Sequence, residues 1–365
     1  MGMMAEICGN IGSNLVMTSS GEGRFAFYAK RYSRKKASIR LRVLEPMAAL
    51  RDAGVLVRRY PKFAGPKGYD AVIISKAFGR GAKKAMRAAQ AAGCGLIFDI
   101  CDNRFANNRV KGSARHGART SQLLAQADIV TVPTDAMGEL LVSSTPDIAG
   151  RVRVVPDMLE DISTLAGRRP SLFERFHLRR LRLFLAAHPG ALHVVWFGNN
   201  MAGVSGVGLL DEAVAQLRQF AERNPVTLTI INNQPSVYRE VSTKWGVPSF
   251  YMPWSLVSFP AALRLHRAAI IPVARNDYTA GKSINRPATA IMAGLGVIAD
   301  SIDSYEELRP FIALDDWQGG LARYAFGWED EQVRLAQARA HLDEHYGRRR
   351  VAARWIEVLN ELKAR

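Results

Sequence analysis

The chain has 365 residues, 48% hydrophobic and 23% charged, with a formal net charge of +17; this composition excludes a disordered chain, and the length suits two domains rather than one core. No apolar run approaches the roughly 20 residues of a bilayer span, and the first residues lack a basic start, apolar core and cleavage site, so the chain is expected to stay in the cytoplasm. Cys8, Cys94 and Cys101, odd in number and outside metal-ligand spacing, exclude a disulfide framework or structural zinc and read as core thiols, while the positive charge predicts an anionic partner such as a nucleotide, a phospholipid surface, a lipid-linked diphosphate or an acidic polysaccharide.

In chain order, short apolar runs at 14–19, 55–60, 70–75, 95–100, 128–132 and 152–155 read as strands. Segments with helical periodicity at 40–53, 81–92, 113–125 and 135–143 alternate with them. Such alternation predicts an α/β domain with a parallel sheet covered on both faces, over residues 1–160. After its first strand, a glycine-containing loop over 19–42 interleaves Arg24, Lys30, Arg31, Arg34, Lys35 and Lys36 with Phe25, Phe27, Tyr28 and Tyr32. That mixture suits an anionic glycan or a lipid-diphosphate headgroup, and equally a solvated loop. It also suits single-stranded nucleic acid, but no RNA-binding module signature accompanies it and no specific nucleic acid partner is predicted.

Residues 161–192 lose the pattern and read as a connector. Its middle, 168–188, is basic and amphipathic, with Leu172, Phe173, Phe176, Leu181, Phe184 and Leu185. Such a helix lies on an anionic membrane surface or packs on its own protein. The second half, 193–328, repeats the first scheme, with strands at 193–197, 226–231, 269–273, 296–299 and 311–314 and helices near 208–222, 236–244, 256–267 and 284–293. Residues 329–365 are helical with no further strand and are expected to cross back over the N-terminal domain; Arg348, Arg349 and Arg350 form a basic face there.

Residues 268–300 are the most informative: strand, polar loop, helix, strand, with Gly281, Lys282 and Ser283 at the helix start. Unpaired N–H groups and the positive end of the helix dipole, beside a lysine and a hydroxyl, make an anion site, most simply for phosphate. The plainer alternative is an N-cap serine and a solvated lysine. The string NDYTAGKS at 276–283 misses a P-loop because Asn276 replaces the first glycine, and too few strands follow it for an NTPase.

Taken together, YDAVIISK (69–76), GLIFDICDNRF (95–105), ADIVTVPTDAM (127–137), VRVVPD (152–157), VVWFGNN (194–200), MPWS (252–255), GKSINR (281–286), AGLGVIAD (293–300) and SYEEL (304–308) resemble the GT-B glycosyltransferases, in particular family 4 and family 1 enzymes of bacterial surface-polysaccharide biosynthesis. The resemblance covers nearly the whole chain and implies two Rossmann-like domains facing across a cleft, with the donor on the C-terminal one. It implies that Gly198, Asn199 and Asn200 approach the donor diphosphate and that Pro253, Trp254 and Ser255 line the base pocket. Family 4 members usually carry a pair of glutamates around the last strand-loop-helix; Gly281 and Thr289 stand there instead, leaving the sugar and ribose contacts unassigned. Lys282, Ser283, Asn285 and Arg286 occupy the loop, donors that suit phosphate better than sugar hydroxyls.

Glycosyl transfer needs charge stabilisation on the departing diphosphate and, if configuration inverts, a base for the acceptor hydroxyl. Lys282 and Arg286 are the candidates for the first task, with Ser283 assisting and no metal or cofactor besides the nucleotide-sugar substrate. Asp102, just past a strand end, is the candidate base, with His116 a weaker one; the competing reading pairs that acid with Arg104 or Arg109. Arg24, Lys30, Arg31 and Lys76 are the candidate acceptor-binding residues, for an anionic or lipid-linked glycan at the inner face of the membrane. A nucleotide-sugar epimerase of the same architecture and a non-catalytic basic protein binding anionic glycan or nucleic acid are the alternatives.

Overall fold

The computed structural model describes residues 23–106, 113–161, 167–199 and 206–364. Among them are two parallel six-stranded sheets. The first contains β1 (Arg24–Tyr28), β2 (Leu56–Arg59), β3 (Ala71–Ser75), β4 (Gly95–Asp99), β5 (Ile129–Val132) and β6 (Val152–Val154), in the order β2-β1-β3-β4-β5-β6. The second contains β7 (Leu192–Phe197), β8 (Val226–Asn232), β9 (Ser249–Pro253), β10 (Ala268–Ile271), β11 (Gly296–Ala299) and β12 (Ala313–Leu314), in the order β12-β11-β10-β7-β8-β9. The chain order reverses between β1 and β3 in one sheet and between β7 and β10 in the other. Those switch points open crevices at the carboxyl ends of the strands.

Helices cover both faces of each sheet, so the central strands are buried on both sides and read as mainly apolar and β-branched runs: AVIIS in β3 and VTLTIIN in β8 are buried throughout. The edge strand β2, LVRR, buries only Val57. Ile73, Ile97 and Ile129 face one helical layer and Val72, Ile74, Leu96 and Phe98 the other, as the two-residue period requires.

The chain crosses between the halves near its end, as expected. Helix Trp328–Tyr346 buries Leu335, Ala338 and Leu342 in the second core, whereas Arg348–Lys363 buries Val351, Trp355, Val358 and Leu359 in the first. Trp355 meets Phe27 edge-on with ring centroids 5.4 Å apart. Arg153 donates both forks of its guanidinium to Glu361 at 2.7 Å, fixing the crossed helix to β6.

Several expectations shift. The strand at 14–19 lies outside the described residues, as do Cys8 and Arg109. The loop read over 19–42 contains β1, because Phe25, Ala26, Phe27 and Tyr28 are buried between β2 and β3. The strand Ser249–Pro253 was not legible: as the last strand of its sheet it tolerates Pro253, which obscured it. The long helix at 256–267 is only Phe259–Leu263.

Candidate active site in the interdomain cleft

The two switch points face one another across a cleft of about 920 Å³, the size of a site for a nucleotide-sized ligand. Gly198 and Asn199 after β7, and Pro272, Val273 and Ala274 after β10, form one wall; Lys30 and Arg31 after β1, and Lys76 after β3, form the other.

The second half contributes its cations through local capping. The Asn276 side chain accepts from the N–H groups of Tyr278 and Thr279 and starts the short helix Asp277–Ala280. The chain then turns and re-enters helix at Asn285–Ala293, whose N-cap is Ile284. Ser283 is therefore not the cap; its hydroxyl donates to Asp157 at 2.6 Å. Ser304 Oγ donates to the Lys282 carbonyl at 2.5 Å and holds that turn in place. Arg286, one residue into the helix, lays its guanidinium over Gly198: a Cβ there would sit 3.2 Å from Nη2. A side chain there would crowd the guanidinium, and glycine leaves room for this approach.

Lys282 does not point into solvent. Its ammonium donates to Asp102 Oδ1 at 2.5 Å and lies 4.0 Å from the Tyr278 ring centroid, and Tyr278 Oη donates to the same carboxylate. Lys76 closes on the other oxygen of Asp102. Lys76 holds φ at 48°, in the left-handed region that non-glycine residues rarely adopt, and such backbone concentrates at functional sites. Burial alone would raise the Asp102 pKa, but Lys282 and Lys76 outweigh it and hold the carboxyl well below the usual carboxylate range. Burial likewise works against charge on Lys282, and Asp102 reverses it, raising the lysine.

A second buried network supports this one. Arg40–Leu44 is a π-helical turn that buries Arg40 and Arg42, a local irregularity common at functional sites. Arg42 pairs with Asp99 and Asp157 and donates to the Val155 carbonyl. Asp99 also accepts from Ser75 at 2.7 Å and Thr131 at 2.9 Å, which commits it to structure. Asp157 accepts from Ser283 and Asn285 across the cleft. Arg40 pairs with Glu160, and its guanidinium carbon is 5.9 Å from the Trp254 ring centroid.

Of the residues singled out from sequence, Lys30, Arg31, Lys76, Asp102, Gly198, Asn199, Trp254, Lys282, Ser283, Asn285 and Arg286 line this one cleft. Others do not join them. Arg24 begins β1 at the opposite sheet edge, with its N–H on Asp70. Ser255 donates to the Glu174 carboxylate, and Pro253 ends the neighbouring strand. Gly281 packs between the halves, where a Cβ would lie 2.8 Å from Met137 Sδ. His116 is exposed on helix Ser113–Leu124. Asn200 lies outside the described residues. Cys94 is a core thiol, but Cys101 lines the cleft, its thiol pushed up to about 12 by burial, Lys76 opposing, which disfavours the thiolate.

Sequence reading missed Asp157, Glu160 and Asn232. The position of Asp157, shortly after β6, was the available signal. Asn232 ends β8 and lines the cleft, only 2% exposed. Its Oδ1 accepts from Gln234 N and its carbonyl from Trp254 N and Tyr251 Oη, whereas Nδ2 is buried with no partner.

No protein-family model matches the chain. No curated protein sequence matches it. Solved structures do. The chain superposes on a UDP-forming α,α-trehalose-phosphate synthase from Burkholderia xenovorans with a TM-score of 0.57 and 12% identity, covering 91% of this chain and 80% of that one. A glycosyltransferase from Rickettsia africae gives 0.58 and 10%, covering 93% and 98%. An E. coli trehalose-6-phosphate structure bound with UDP-2-fluoro glucose gives 0.55 and 11%, covering 91% and 79%. The fold is thus the two-domain GT-B architecture.

Proposed function

We propose that this chain is a glycosyltransferase that moves a sugar from a nucleotide-diphosphate sugar to an anionic acceptor. The observation that carries this reading is the convergence of Lys282 and Arg286 with the Gly198 backbone at the switch point of the second sheet, where a diphosphate is held in folds of this kind. It is supported by a structural neighbour that binds UDP-2-fluoro glucose. As the bond between the sugar and its phosphate oxygen breaks, the electron pair stays on the diphosphate, and these two cations stabilise it. Asn232 Nδ2 meets a carbonyl of the base.

On the facing wall Lys30, Arg31, Lys35 and Lys36 are exposed cations with no ion-pair partner among the described residues. They suit a phosphorylated or lipid-linked acceptor, such as a growing surface glycan. Asp102 is a carboxylate with depressed proton affinity and therefore a poor base. Its assigned task is to position the ammonium groups of Lys76 and Lys282.

Thermal-shift titration with nucleoside diphosphates tests donor binding, since a ligand that prefers the folded state raises the melting temperature. Lys282→Ala and Arg286→Ala should each lower turnover by about 10²-fold. Unchanged turnover in both would remove the proposed chemistry. Binding without transfer would favour an epimerase, and a steeply salt-dependent affinity for polyanions with no nucleotide response a basic binding protein.

A further inference from the structure

Helix Leu172–Ala186 carries four exposed large apolar residues: Leu172 at 81%, Phe173 at 63%, Phe176 at 56% and Leu183 at 60%. At about 100° per residue, its buried residues Glu174, Leu178, Leu181 and Leu185 share one side, packed against β9 and helix Phe259–Leu263. Leu172, Phe176 and Leu183 fall within about 40° of one another on the opposite side. Exposed Arg175, Arg179 and Arg182 border this crest on one shoulder, without an ion-pair partner among the described residues. Arg180 borders it on the other, 5.7 Å from the Phe176 ring centroid. The helix is thus amphipathic twice, with one apolar stripe for the protein and a second, flanked by cations, facing away.

Two occupants compete for that crest. A second copy of the chain, joined face to face, would bring the two arginine shoulders together, and like charges across an interface cost affinity. An anionic bilayer satisfies both features at once: the rings and leucines enter the acyl boundary and the guanidinium groups meet lipid phosphates. We infer that helix Leu172–Ala186 is an interfacial anchor that seats this protein on an anionic membrane surface. The anchor adjoins the cleft. Glu174, in its first turn, accepts from Ser255, next to the cleft-lining Trp254, so seating on the opposite crest sets this part of the cleft wall one helix diameter, roughly 10 Å, from the bilayer. What enters that mouth rests on the glycosyl-transfer reading; the seating itself does not.

Co-sedimentation with vesicles tests it. The full chain should sediment with phosphatidylcholine vesicles that contain phosphatidylglycerol and stay in solution with phosphatidylcholine alone, and salt should weaken the binding. The triple variant Phe173→Ser, Phe176→Ser, Leu183→Ser, confined to exposed positions, should bind at least about tenfold more weakly while keeping its melting temperature and any nucleotide-induced shift. Replacing Arg175, Arg179 and Arg182 by glutamate should remove the preference for the anionic lipid. A wild-type chain that ignores anionic vesicles, or a serine variant that sediments as well as wild type, would overturn the inference. So would a concentration-dependent dimer that the serine variant disperses without any vesicle binding. Loss of nucleotide response with vesicle binding intact would count only against the glycosyltransferase assignment.

Discussion

Asn232 holds one hydrogen-bond donor that the folded chain does not use. The Gln234 N–H on Oδ1 fixes the orientation of the amide, so the polarity of what remains is settled: Nδ2 can only donate. Leaving it buried without an acceptor costs about 1–3 kcal/mol, which a ligand carbonyl recovers. Uracil and cytosine share the carbonyl at position 2 and differ at position 4, a carbonyl in the first and an amino group in the second, and at N3, which carries a proton only in uracil. With Nδ2 set against position 4, the proposed donor site should prefer UDP to CDP. Asn232→Asp keeps the oxygen that accepts from Gln234 and replaces the donor by an acceptor, so calorimetric titration should find that preference reduced by roughly tenfold or reversed. A variant with an unchanged UDP-to-CDP ratio would show that this amide does not read the base.

At the scale of elements, local chemistry explains how the anchor helix starts. Ser171 caps it, its hydroxyl accepting from Glu174 N while the Glu174 carboxylate accepts from Ser171 N. Arg168 pulls the Glu174 carboxyl down to about 2, and Ser255 and Ser171 add to that against the opposing effect of burial. Ser171→Ala removes half of this capping box and should cost about 1 kcal/mol, read as a lower urea midpoint with an unchanged slope; an unaltered midpoint would show that Arg168 and Ser255 hold the turn by themselves. Signals of this local kind are what a sequence displays. The βα alternation was legible because strands buried on both faces, such as Ala71–Ser75 and Val226–Asn232, are mostly apolar or β-branched. The cation loop at Lys282 was legible because it follows such a strand. The partners of Lys282 and Ser283 were not, since Asp102 and Asp157 stand 180 and 126 residues away, and no periodicity links residues brought together only by two domains closing.

At the scale of the whole molecule, those long-range pairs are what hold the halves against each other across the cleft. Asp102 meets Lys282, Asp157 meets Ser283 and Asn285, and the Asn103 amide donates to the Asp277 carbonyl at 2.9 Å. The pH dependence of the first pair follows from its two shifts. Asp102 is held below its unfolded pKa, so its contribution is present above the ordinary carboxylate value of about 3.9 and is lost as pH falls below that toward the depressed folded value. Lys282 is raised, so its contribution is present below the ordinary lysine value of about 10.4 and is lost as pH rises through the raised one. Between about pH 5 and 9 this contact should therefore keep its strength, and the radius of gyration from small-angle scattering should stay constant. Asp102→Asn leaves Lys76 and Lys282 facing each other without their counter-ion, which should widen the cleft and lower stability by roughly 2 kcal/mol, allowing for partial solvent screening. A nucleoside diphosphate supplies an anion to the same lysines, so it should return the variant to the wild-type radius, more so than it compacts the wild type itself. A variant as compact as wild type without ligand would mean that Asp157 and Asn103 suffice to close the molecule and that Asp102 serves the site alone.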